Sequence, residues 1–189
     1  MPYDLTRGGT DVAHRAVAEP QVRRRGMPGL LGKNVLVTGG TSGIGQATAV
    51  RFAEHGANVA IVARGREALE ATRRDIEATG RRCLALKADM SSEDEWPRIV
   101  DQTVSAFGGV DILVYGAATA ENIAPIIRST SEGWDLVMRV NLKGAFMVSR
   151  LCHRHMKSRG GGSVIHITST NASARRLGSA PIPSARARW

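Results

Sequence analysis

The chain has 189 residues, a net charge of +9, 42% hydrophobic residues and 4% aromatic residues. That length predicts one domain with a real core, and no apolar run approaches the ~20 residues of a membrane span. The charge excess sits at the ends (net +2 in residues 1–29, +4 in 175–189, +3 across 30–174), which, with so few aromatic stacking platforms, argues against a nucleic-acid partner.

Residues 1–29 show neither helical nor strand period and hold Gly8-Gly9, Pro20 and Pro28. A disordered N-terminal tail is expected there, with Met27 as the natural start. No apolar leader precedes it. Cys83 and Cys152 give no disulfide framework, so a cytoplasmic setting is expected.

From Lys33 the pattern alternates. The spacing predicts strands near 34–38, 58–63, 82–88, 111–117 and 163–168. Helices are expected near 43–55, 66–79, 92–107 and 132–158. Strands alternating with helices imply a parallel sheet covered on both faces. Right-handed crossovers make it an α/β, doubly wound parallel sheet of the Rossmann type, spanning 30–189 as one dinucleotide-binding domain. In the third helix Trp96, Ile99, Val100, Val104 and Phe107 share a face. Ser92 and Glu95 form a candidate capping box at its start, and Gly108-Gly109 a stop.

Thr38 to Gly45 reads TGGTSGIG, directly after Val35-Leu36-Val37. Glycines at 39, 43 and 45 between a strand and a helix let backbone N–H groups and a positive helix end approach a phosphate. A P-loop would need Lys and Ser/Thr after the last glycine; Gln46-Ala47 stand there instead. The usual GxGxxG spacing is absent as well, replaced by GxxxGxG. The second strand closes Val62-Ala63-Arg64. An acid at that point would bind the ribose hydroxyls of NAD and repel a 2′-phosphate, whereas Arg64 can pair with it. Thr41 and Ser42 add hydroxyl donors nearby. NADP is therefore the expected cofactor, ahead of NAD.

The turn, with Asp89-Met90 after the third strand, DILV at 111–114, Asn141 in VNLKGAF and Ser169 in GSVIHITS, resembles the short-chain dehydrogenase/reductase family over about residues 30–180. The resemblance implies an oxidoreductase moving hydride between a nicotinamide and an alcohol or carbonyl substrate. It implies that Gly39, Gly43 and Gly45 admit the pyrophosphate, that Ile44 lies beside the cofactor, and that Asp89 and Met90 approach the adenine. Asn141 would hold a kink in the long helix and anchor a proton-relay water. Ser169 would bind the reacting oxygen of the substrate. The intact family also implies a homo-oligomer.

Two departures stand out. Where the family has NNAG, this chain has Tyr115-Gly116-Ala117-Ala118; Ala117 still leaves room for a cofactor. The family chemistry also needs a Tyr followed four residues later by Lys, and no Tyr or Lys follows Ser169. One base inserted into a back-translation of Pro183–Trp189 restores Pro-Tyr-Gly-Ala-Ser-Lys-Val. A frameshifted, C-terminally truncated product lacking the last family strands is thus one expectation; a catalytically inactive cofactor-binding protein is another. With those strands gone, Val164–Thr168 becomes an apolar sheet edge, and poor solubility or partial folding is expected.

Other residues attract less weight. Cys152, His153 and His155 cannot all face one ion from a helix, and no metal is expected. His166 reads as a packed or hydrogen-bonded residue, and Trp134 as core with Val137 and Val140.

Overall fold

The computed structural model describes residues 29–119 and 128–169. The expected N-terminal tail, the start at Met27 and the region of the missing Tyr and Lys lie outside the described residues, apart from Gly29.

The elements run in order as β1 (Asn34–Thr38), α1 (Gly43–Glu54), β2 (Asn58–Ala63), α2 (Arg66–Glu77), β3 (Cys83–Lys87), α3 (Glu95–Phe107) and β4 (Ile112–Tyr115). Then come α4 (Ser131–Val137), a π-helical segment (Met138–Lys143), α5 (Gly144–Ser158) and β5 (Ser163–His166). The strands form one parallel sheet in the order β3-β2-β1-β4-β5. It is the doubly wound arrangement expected from the alternating pattern.

Strand alternation divides the core in two. Val35, Val37, Val59, Ile61 and Val114 pack on one face with Leu69 and Ile76 of α2. Leu36, Val62 and Leu113 pack on the other with Trp96, Ile99 and Val100 of α3 and Val148, Cys152 and Met156 of α5. On α1 the buried stripe is Gly45, Ala49 and Ala53. Small residues at four-residue spacing let that helix lie close against the strand it follows, which holds the β1–α1 turn in place.

The third helix starts later than its capping-box pattern predicts. Ser92 does not cap it: α3 begins at Glu95, its N-cap is Asp94, and no side chain caps it. Asp89 draws the preceding residues into a turn, its carboxylate accepting the Ser91 N–H at 2.9 Å and its carbonyl the Ser92 N–H at 3.0 Å. Pro97 then falls in the first turn, where a missing N–H does no harm. Gly108 ends the helix at φ 82, a left-handed value that suits glycine.

The long helix predicted near 132–158 is present but broken by the π-helical segment. Trp134 is not core; it is 64% exposed. The buried positions on this stretch are Gly133, Val140, Gly144, Ala145, Val148, Cys152 and Met156, so of the Trp134-Val137-Val140 series only Val140 is fully buried. Cys152 turns into the core, His153 faces outward, and among the described residues no group of His, Cys, Asp or Glu is placed to hold a metal. No helix among them is long and apolar enough to cross a membrane. His166 is hydrogen-bonded, its Nε2 lying 3.0 Å from the Ser149 hydroxyl, and its ring meets Tyr115 edge-on with centroids 6.3 Å apart.

Candidate active site

The ends of parallel strands leave a crevice where the strand order reverses, here between β1 and β4. A cavity of about 670 Å³ opens at that point. Gly39, Thr41, Ser42, Ile44 and Gly45 line it from the β1–α1 turn, Arg64 from the end of β2, and Asp89 and Met90 from the end of β3. Ala117 lines it from the end of β4. Nine of the ten residues expected at the cofactor are thus brought around one space. Gly43 is the exception: it borders a shallower groove on the outer side of α1 with Gln46 and Val50.

Gly39 and Gly45 occupy positions where a side chain does not fit. Gly39 has φ 69, and a Cβ there would lie 2.7 Å from the Gly116 carbonyl oxygen. At Gly45 a Cβ would overlap the Gly39 carbonyl. These two close approaches bind the β1–α1 turn to itself and to the end of β4. The Thr38 hydroxyl completes the join by accepting the N–H groups of Gly116 and Ala117, each at 3.2 Å. Helix α1 begins beside the cavity at Ser42 with no side-chain cap and no acid in its first turn. Its first N–H groups and positive dipole end are therefore available to an anion.

Opposite charges face this space. Arg64 is exposed at the rim. The Ser91 backbone N–H holds Asp89 below the ordinary carboxylate range; burial opposes this, while the Ser91 side chain and the Arg64 charge reinforce it. Asp89 is therefore ionised at neutral pH. Neither cysteine is a nucleophile in waiting: burial pushes the thiols of Cys83 and Cys152 up to about 12.

Asn141 and Ser169 stand apart from the cavity lining. Asn141 lies in the π-helical segment and grips Thr119: its Oδ1 accepts the Thr119 N–H at 2.8 Å, and its Nδ2 donates to the Thr119 carbonyl at 3.0 Å. Ser169 is exposed three residues past β5, while Ile167 from the same segment reaches the cavity. Leu136, Val140 and Thr119 also line it, and none was singled out as a site residue from sequence. Their signal was weak, because each lies on a loop or helix whose approach to the strand ends depends on the tertiary path. Tyr115 reads from sequence only as a departure; its partner, the Val140 carbonyl at 2.6 Å, is 25 residues away.

The sequence profile described as short chain dehydrogenase matches residues 33–185. The chain belongs to the short-chain dehydrogenase family. An uncharacterized oxidoreductase of Thermotoga maritima is 40% identical over 143 residues, covering 76% of this chain and 56% of that protein. A short-chain dehydrogenase from Burkholderia cenocepacia J2315, solved in complex with NADP, is 35% identical with a TM-score of 0.72; the match covers 80% of this chain and 60% of that one. An NAD+-bound xylitol dehydrogenase is 31% identical with a TM-score of 0.74, covering 79% of this chain and 57% of the other. This short-chain dehydrogenase thus spans somewhat over half the length of these relatives.

Proposed function

We propose that the chain is the cofactor-binding part of an NADP-dependent oxidoreductase acting on an alcohol/carbonyl pair. The observation that carries this reading is the cavity at the sheet's switch point, where a glycine turn without room for side chains meets Arg64 and an uncapped helix start. Its volume falls within the ~300–1,000 Å³ of small-molecule sites, and its donors suit a dinucleotide. The bound nicotinamide supplies the hydride donor or acceptor. The protein's part is placement. Gly39 and Gly45 admit the pyrophosphate to the backbone, and the start of α1 offers it N–H donors. Arg64 pairs with the 2′-phosphate, with Thr41 and Ser42 adjoining, while Ile44, Met90 and Ala117 bound the cofactor's apolar surfaces. Asp89 reaches the adenine. Asn141 orders the loop at Thr119 and anchors a relay water, and Ser169 binds the substrate oxygen. The relatives bound to NADP and to NAD+ support a nicotinamide dinucleotide; Arg64, with no acid beside it at the end of β2, supports the phosphorylated form.

A second reading is favoured by one observation. Residues 170–189 carry neither Tyr nor Lys, and a cofactor-binding module is the alternative this stretch supports. Titration calorimetry with NADP and NAD tests the binding that both readings share. Preferential binding of NADP is expected; no binding of either nucleotide overturns both. An alcohol-oxidation assay on the same sample then separates them.

A further inference from the structure

Tyr115 ends β4 and is 3% exposed. Its hydroxyl donates to the Val140 carbonyl at 2.6 Å. Val140 belongs to the π-helical segment and lines the cavity. A π-turn pairs carbonyls with the N–H five residues on in place of four, and a carbonyl oxygen, with two lone pairs, can also accept a donor from outside the helix. Room for that donor comes from Gly144, where a Cβ would overlap the Tyr115 hydroxyl. Burial pushes the phenol above its ordinary value, so it remains a hydrogen-bond donor at any working pH.

The next residue in the π-helical segment is Asn141, whose amide takes both the N–H and the carbonyl of Thr119. Thr119 lies on the loop that leaves Tyr115 and lines the cavity rim. The contacts therefore close a ring: the end of β4, across to Val140, on to Asn141, back to Thr119. Lys143, at the end of the same segment, is salt-bridged to Glu93 at the entry to α3. The helix is thus tied to one loop through the Glu93 side chain, to another through the Thr119 backbone and to one strand end through Tyr115.

We propose that Tyr115 is a positioning residue, whose hydroxyl seats the π-helical segment so that Val140 forms the cavity wall and Asn141 holds Thr119 at its rim. The assignment rests on the cofactor reading for what the cavity holds, but not for the ring of contacts itself. Phenylalanine at 115 keeps the ring and its packing and removes only the donor.

Backbone amide exchange of the cofactor-free chain, followed by NMR for wild type and Tyr115→Phe, tests it. Exchange at Thr119 should quicken about tenfold in the variant, the size of one lost hydrogen bond, while Leu113 in the core of β4 changes far less. Unchanged exchange at Thr119, or Leu113 rising in step with it, overturns the proposal. Gly144→Ala gives an independent reading. It should lower the urea midpoint in the Tyr115 background and lower it clearly less when combined with Tyr115→Phe, because the obstructing hydroxyl is gone. Equal losses in both backgrounds would show that the two residues do not meet. NADP titration of the wild type reads the cofactor assignment separately; its failure leaves the Thr119 result standing.

Discussion

Arg64 and Asp89 share one cavity with opposite charge, and their placement decides what the site can discriminate. Asp89 is fixed by Ser91 within its own turn, so its charge is committed locally. Among the described residues no hydrogen bond or salt bridge holds Arg64, which can turn to an incoming anion. Replacing Arg64 with Asp should weaken NADP by about 10- to 100-fold, the value of a charged hydrogen bond, and change NAD by less than threefold. Parallel titrations check this, and equal loss for both nucleotides would count against the assignment. Arg64 and the glycines were legible because turn chemistry is local: a close approach demands glycine wherever the chain goes afterwards. Tyr115 was not legible in the same way. Nothing near position 115 says that its partner is a carbonyl in a distant helix with a widened turn.

At the scale of elements, the far end of the sheet is held by one carboxylate. Asp111, entering β4, accepts the Asn34 N–H at 2.8 Å and both Nε and an Nη of Arg159, beyond the end of α5, at 3.0 and 3.2 Å. Burial pushes the Asp111 carboxyl up, but the Arg159 hydrogen bonds, the Asn34 N–H and the charges of Arg159 and Lys33 outweigh it and hold it below its ordinary value. Asp111 thus gives up its proton more readily folded than unfolded. Its contribution to stability is complete above the ordinary carboxylate range, about pH 4, and is lost as pH falls through the depressed folded value. Asp111→Asn should lower the urea midpoint at pH 7, and the gap to wild type should narrow steadily below pH 4. A gap constant with pH would place the loss in packing instead. The elements themselves were readable from period and punctuation, as with Gly108 at the end of α3. Trp134 misled because the inward position of α4 is its neighbour Gly133, and apolarity alone points to the tryptophan.

For the whole molecule, the sheet order places the cavity among the β1–α1 turn and the loops after β2, β3 and β4, so a ligand there stabilises several elements at once. NADP at about 100 times its dissociation constant should add about 2.7 kcal/mol and raise the melting temperature by about 5–10 °C. Differential scanning fluorimetry measures it; an unchanged melting point at saturation would argue against a site in the native state. The doubly wound parallel sheet followed from alternation and crossover handedness, which act over the whole chain. Val164 and Ile165 of β5 are 45% and 42% exposed, and among the described residues β4 is the strand it pairs with.

The Thr38 hydroxyl, buried between the ends of β1 and β4, has a consequence for timing. By accepting two N–H groups from the opposite lip, it makes both sides of the crevice one stiff piece before any ligand arrives. Entry then needs no opening step there, and little ordering entropy is left to be lost on contact. The rate of complex formation should scale with nucleotide concentration without levelling off, the mark of a receptor that does not wait for itself to change shape.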